Sequence, residues 1–160
     1  MVATAQSRAP VPPARPGTKV LVIEARYYEG IADELFRGVR LVLDEAGAVH
    51  ERIAVPGVLE IAAALAMALR GPVAYDGFVV LGCVIRGETT HYDIVAGESA
   101  RVIADISAKE AIALGNGILT VENEAQAWAR AKVDNLDKGG AAARAALAMI
   151  ALRHQMGLGR

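Results

Sequence analysis

Five consecutive residues, Gly87-Glu88-Thr89-Thr90-His91, carry the groups in this chain best suited to chemistry on a small anion. They follow an apolar run and lead into a helical pattern. Gly87 permits a tight backbone. The first N–H groups of a helix have no intrahelical partners. With two hydroxyls and the positive end of the helix, they suit a phosphate or a similar anion. His91 falls in the first turn, beside that anion, and a histidine moves protons near neutral pH. On pattern alone a second reading stays open, in which Thr89 or Thr90 is an N-cap and nothing more.

Other polar and aromatic groups gather at comparable junctions. Arg26-Tyr27-Tyr28-Glu29 follows the first apolar run, and Pro56-Gly57-Val58-Leu59-Glu60 follows the second. Leu114-Gly115-Asn116 opens the fourth and is expected at the same edge. That mixture is the usual makeup of a small-molecule site. Cys83 lies inside an apolar run and reads as a buried, inert thiol. Trp128 reads as packing. By composition alone Arg130 and Lys138 are solvated charges, and His50 and His154 face solvent. Neither the G-x-G-x-x-G fingerprint nor a P-loop is present, so NAD or ATP binding has no support.

The elements that must hold these groups alternate in type. Residues 19–25 (KVLVIEA) form a short β-rich run, and 31–45 carry apolar residues at helical spacing before Gly47. Residues 51–55 are a second strand, closed by Pro56-Gly57, and 59–69 a second helix, closed by Gly71-Pro72. Residues 78–85 (FVVLGCVI) are apolar almost throughout, as a central strand covered on both faces would be. A long helix is expected over 91–113, a fourth strand over 117–121, and helices over 124–132 and 139–156. Alternation of this kind implies parallel pairing with right-handed crossovers. The expected fold is a three-layer α/β/α sandwich on a flavodoxin-like four-stranded parallel sheet, order 2-1-3-4. In such sheets ligands bind beyond the carboxyl ends of the strands, near the switch in strand order. Residues 1–17 hold four prolines and no periodicity, and read as a flexible arm before a single domain over 18–160.

Bulk properties narrow the classes further. The chain has 160 residues and a formal net charge of -1, with no basic excess for a phosphate backbone. Nucleic acid is therefore not an expected partner. One cysteine excludes an internal disulfide and a multi-cysteine metal site, and fits a reducing cytoplasm. No secretory signal is read, and the longest apolar run, 61–69, is too short for a bilayer. The mean hydropathy of +0.32 is high for a small domain; an alanine-rich helical core is one account of it, and apolar surface buried between subunits is the favoured one.

Three segments then resemble one family. Gly82-Cys83-Val84-Ile85-Arg86-Gly87-Glu88-Thr89-Thr90-His91 is similar to the G-x-V-I-R-G-x-T-x-H hallmark of the lumazine synthases. Val55-Pro56-Gly57-Val58-Leu59-Glu60-Ile61 resembles the family's V-P-G-[AS]-x-E-[IL] element. Gly117-Ile118-Leu119-Thr120-Val121-Glu122-Asn123, then Gln126-Ala127 and Lys138-Gly139, resembles its C-terminal pattern. The likeness spans about residues 19–156.

The resemblance implies condensation of 5-amino-6-(D-ribitylamino)uracil with 3,4-dihydroxy-2-butanone 4-phosphate, with no metal or organic cofactor. It implies that Tyr27 stacks on the pyrimidine and that Val58, Leu59 and Glu60 line the ribityl chain. By the same likeness the backbone of Cys83, Val84 and Ile85 reads the pyrimidine edge, and Glu88 and Thr89 form the phosphate turn. His91 takes the proton-transfer role, Arg130 the phosphate-binding role, and Lys138 that of a nearby cation. Two positions depart from the pattern: Asn116 and Leu59 stand where many members carry an aromatic residue, which leaves Tyr27 as the main stacking face.

Family members form pentamers with sites between adjacent subunits, and some build sixty-subunit cages. The segments GETTHYDIV, GNGILTVENE and KGGAAARAAL are most similar to alphaproteobacterial members, which implies a free pentamer. The loop over 131–137 is short enough to leave a cage open. Two other readings compete. A flavin-binding module would place a Ser/Thr-rich phosphate loop after the first strand, where this chain has Arg26-Tyr27-Tyr28-Glu29-Gly30. A non-catalytic assembly scaffold would not need His91, Arg130 and Lys138.

Overall fold

The structure, a computed structural model, describes residues 10–159. Strands β1 (Lys19–Ala25), β2 (Val49–Val55), β3 (Gly77–Ile85) and β4 (Leu114–Val121) form one sheet in the order β2-β1-β3-β4. All three pairings are parallel. Helices α1 (Glu29–Ala46), α2 (Ile61–Arg70), α3 (His91–Lys109), α4 (Glu124–Ala131) and α5 (Lys138–Gln155) fill the connections. The three-layer arrangement and strand order match the expectation from sequence.

Side-chain parity along the strands explains the layers. Successive strand residues point to opposite faces. Val20, Val22, Val79, Leu81, Cys83, Leu119 and Val121 share one core with α1, α4 and α5. Leu21, Ile23, Phe78 and Val80 share the other with α2 and α3, through Ile61, Leu65, Val95 and Ile103. Both faces of β1 and β3 are thus covered, so these strands read as continuous apolar runs. Shortening a fully buried side chain such as Leu81 or Ile103 should cost about 2–5 kcal/mol.

Most boundaries shift by one or two residues from the sequence reading, and three of the differences have a clear physical cause or bear on the site. Helix α3 ends at Lys109 rather than at 113. Ala111 takes φ 50 there, and the Ile112 N–H donates to the Ser107 carbonyl in a Schellman-type closure. Such a stop is ordinarily a glycine, so an alanine gives no warning of it. Strand β4 starts at Leu114, three residues before the expected start, because Phe78 to Val80 of β3 pair with Leu114 to Asn116. Val58–Glu60 forms a 3-10 turn before α2 instead of its first turn.

Of the stretch read as an arm, residues 1–9 lie outside the described residues. Val11 and Ala14 pack against the core, and the Ala14 N–H donates to the Ala46 carbonyl at 2.8 Å.

Candidate active site

β1 turns toward β2 on one side and β3 toward β4 on the other, so the order switches between β1 and β3. Their carboxyl ends splay apart at that point, and a cavity of about 410 Å³ opens there. Tyr27 and Tyr28 come from the loop after β1. Val58, Leu59 and Glu60 come from the 3-10 turn, and Cys83, Val84 and Ile85 from the end of β3. Thr89, His91, Tyr92 and Val95 come from the following loop and the start of α3. Val58 sits against Gly82 so closely that a Cβ on Gly82 would lie 2.8 Å from Val58 Cγ2. That approach brings the 3-10 turn onto the strand and sets one wall of the cavity.

The cavity has a neutral floor and an aromatic flank. Burial pushes the Cys83 thiol up to about 11. Burial also raises the Tyr28 hydroxyl above its ordinary value, helped by the neighbouring Tyr27, Cys83 and Glu124. The Tyr27 and Tyr28 rings meet edge to face at 4.9 Å, and Tyr27 is 76% exposed.

The loop from Arg86 to His91 is exposed along its length but pinned at both ends. The Arg86 N–H donates to the Val121 carbonyl at 2.9 Å. Its guanidinium donates to Glu122 at 2.9 Å and to Asp93 at 3.3 Å, and lies 4.2 Å over the Tyr92 ring. Thr90 is the N-cap residue of α3, yet its side chain makes no cap bond. The Thr89 hydroxyl instead accepts from the His91 N–H at 3.3 Å. The simple-cap reading therefore holds only in part: the hydroxyl of Thr90 and the start of the helix remain available to a ligand.

Nine sequence-predicted residues converge on this cavity: Tyr27, Val58, Leu59, Glu60, Cys83, Val84, Ile85, Thr89 and His91. Glu88 stands exposed on the same loop, outside the lining. Sequence reasoning puts Tyr28 on the right segment without a role, and misses Tyr92 and Val95. A signal existed for Val95, which lies four residues after His91 on the same helix face.

Asn116, Arg130 and Lys138 lie elsewhere. They line a second cavity, of about 330 Å³, on the outer edge of β4 between α4 and α5. The expectation that Leu114-Gly115-Asn116 reaches the carboxyl edge is corrected here. Asn116 pairs in register with Val80, whereas Cys83 to Ile85 pair with Leu119 to Val121. The Asn116 amide oxygen accepts from the Ile118 N–H at 2.9 Å, which occupies a donor on the open sheet edge. Arg130 donates to the Gln126 carbonyl at 3.1 Å. Lys138 opens α5, whose N-cap Asp137 is buried and accepts from the Gly140 N–H at 3.0 Å.

Among the described residues no group of three His, Cys, Asp or Glu could hold a metal ion, and no helix is long and apolar enough to cross a membrane.

Comparison with known proteins places this architecture. The model of the family described as 6,7-dimethyl-8-ribityllumazine synthase matches residues 17–154. A 6,7-dimethyl-8-ribityllumazine synthase 1 of Rhizobium meliloti (strain 1021) is 57% identical over 142 residues, 86% of this chain and 93% of that protein. The 6,7-dimethyl-8-ribityllumazine synthase of Agrobacterium fabrum is 55% identical over 142 residues, 86% of this chain and 96% of that protein. That of Methylobacterium radiotolerans is 57% identical over 144 residues, 90% of this chain and 87% of that protein. With the match running from the start of β1 through almost all of α5, the chain belongs to the 6,7-dimethyl-8-ribityllumazine synthase family.

Proposed function

We propose that this chain catalyses the reaction its family is named for. It condenses 5-amino-6-(D-ribitylamino)uracil with 3,4-dihydroxy-2-butanone 4-phosphate, giving 6,7-dimethyl-8-ribityllumazine, phosphate and water. The observation that carries this is the convergence of Tyr27, Glu60 and His91 on one cavity at the switch point. An aromatic face, a carboxylate that accepts from hydroxyls and a proton-moving imidazole are what a ribityl-bearing pyrimidine and an eliminating phosphate ester require.

Each step then has a residue. Tyr27 stacks on the pyrimidine while the backbone of Cys83, Val84 and Ile85 reads its edge. Glu60 accepts hydrogen bonds from the ribityl hydroxyls, with Val58 and Leu59 along the chain. The amine attacks the ketone carbonyl to form an imine, and His91 carries protons to and from the reacting atoms. Phosphate leaves toward the start of α3, where the Thr89 and Thr90 hydroxyls and the Tyr92 N–H receive it, with Glu88 on the same turn. Enol rearrangement and ring closure follow.

Arg130 and Lys138 are the cations that a dianionic leaving group calls for, but in one copy of the chain they line the other cavity. We therefore read the working site as composite: the switch-point cavity of one subunit faces Asn116, Arg130 and Lys138 of the next. A head-to-tail interface of that kind gives a ring when the rotation between neighbours closes. The reading is a pentamer, with the sixty-subunit cage as a further assembly of the same unit. The lone thiol supports a cytoplasmic setting.

The test is a lumazine-forming assay on purified protein with both substrates and no added metal, paired with light scattering for mass. Fluorescent product from a ring-sized particle is expected. Absence of product at neutral pH overturns the activity, and an active monomer overturns the composite site.

A further inference from the structure

Glu24 is a carboxylate on β1 that is only 1% exposed and belongs to neither cavity. Arg52 of β2 grips it with two bonds, from Nε at 2.9 Å and from Nη2 at 3.0 Å. Arg26 donates to the same carboxylate at 2.9 Å and to Asp33 of α1 at 2.8 Å. Arg52 reaches Asp33 as well, at 3.1 Å, and its guanidinium lies 4.0 Å over the Phe36 ring. Two arginines and two acids thus lock together β1, β2 and α1. Burying the Glu24 carboxylate costs desolvation, and a well-packed apolar residue there would serve stability as well or better. What the network supplies is geometry.

That geometry bears on one loop. Arg26 is the first of three residues between β1 and α1, and its guanidinium bridges the end of β1 to the second turn of α1. Tyr27 is the next residue. The residue is 76% exposed, and its ring contact is the edge of Tyr28. An exposed ring held from one side takes its plane from the backbone beneath it. A loose platform loses binding free energy when it must be ordered around a ligand.

We propose that Glu24 and Arg26 are positioning residues for the stacking face of Tyr27, holding it in the plane that receives the pyrimidine ring. The inference rests on the reading that Tyr27 stacks on that ring. Asp33 and Arg52 complete the lock from α1 and β2.

The test is equilibrium titration of the intact oligomer with 6,7-dimethyl-8-ribityllumazine, followed by quenching of the ligand's own fluorescence. Arg26→Ala leaves Glu24 paired with Arg52 and so spares the fold, while Glu24→Gln keeps the shape and removes the charge. Arg26→Ala should bind about three- to tenfold more weakly, the range an ordered aromatic contact contributes, and Arg26→Lys should recover part of the loss. In steady state its KM for the pyrimidine substrate should rise while that for the butanone phosphate stays put. Combined with Tyr27→Ala, Arg26→Ala should add little further loss, because a residue acting through Tyr27 has nothing left to act on. Wild-type affinity in Arg26→Ala, or a fully additive loss in the double variant, overturns the proposal alone. If wild-type protein fails to bind the lumazine, or Tyr27→Ala binds it unchanged, the stacking reading falls and takes the proposal with it.

Discussion

The two cavities differ in almost every property that matters for catalysis. The switch-point cavity is built from strand ends, has aromatic rings on one flank and a thiol that burial keeps neutral, and holds His91 at its mouth. The cavity on β4 is smaller and is lined by alanines, glycine and strand residues, with Arg130 and Lys138 as its charges. The first can stack a ring and move a proton, but it offers a leaving phosphate only a helix start. The second can hold an anion and has no imidazole among its lining residues. Each lacks what the other has, which is why we join them across a subunit boundary.

The most damaging change to that division acts on the second cavity through the backbone. A Cβ on Gly115 would lie 1.8 Å from the Ala142 carbonyl oxygen and 3.2 Å from the Ala146 nitrogen. Gly115→Ala must therefore push α5 off β4. We expect a loss of about 3 kcal/mol or more in denaturant unfolding. A variant as stable as wild type would show that the α5–β4 spacing is not held by this contact.

His91→Ala comes next. Removing a proton-transfer group should slow turnover about a hundredfold, with the circular dichroism spectrum and particle mass unchanged. An unchanged kcat removes His91 from its assigned part. Arg130→Ala should instead raise the KM for the phosphate substrate about tenfold with little change for the pyrimidine. A defect confined to the pyrimidine contradicts the anion reading of the second cavity.

Co-expression of these two variants probes the comparison itself. With the butanone phosphate held well below KM, where Arg130→Ala keeps about a tenth of the rate, composite sites would let about a quarter of those in a mixed ring join an intact His91 to an intact Arg130, and activity would rise above that of either single variant. If each subunit carries a whole site, no mixture exceeds its components.

How much of this was legible in the sequence depended on how local the determinants were. The run over 77–85 announced a doubly covered strand because both faces need apolar residues, and the Gly87 to His91 segment announced a strand-to-helix junction. Nine of the predicted site residues then fell on one cavity, since strand order and parallel pairing leave one place for the ends of β1 and β3. The stop at Ala111 was silent because alanine does not advertise a left-handed backbone. Asn116 was misplaced because Gly115-Asn116-Gly117 has none of the β-branched pattern of a strand, although pairing with β3 makes it one. The Glu24 lock was invisible for another reason: Arg52 lies 28 residues away, and only the β1–β2 register brings the two together.

The smallest predicted effect concerns the neutral floor of the first cavity. Burial raises the Cys83 thiol from its ordinary 9.0 to about 11. Below pH 9 the thiol is neutral in both folded and unfolded chains, and its contribution to stability is fully present. Between pH 9 and 11 the unfolded chain gives up the proton while the folded chain retains it, so that contribution falls as pH rises. Cys83→Ala lacks this loss. Comparing the two proteins at pH 8 and at pH 10, the balance should move against wild type by about 1 kcal/mol. An equal gap at both pH values would mean that the thiol titrates as it does in the unfolded chain. The cavity floor could then carry a negative charge in mildly alkaline solution, added to that of the Glu60 carboxylate in the same lining and opposite in sign to Arg130 and Lys138 of the other cavity.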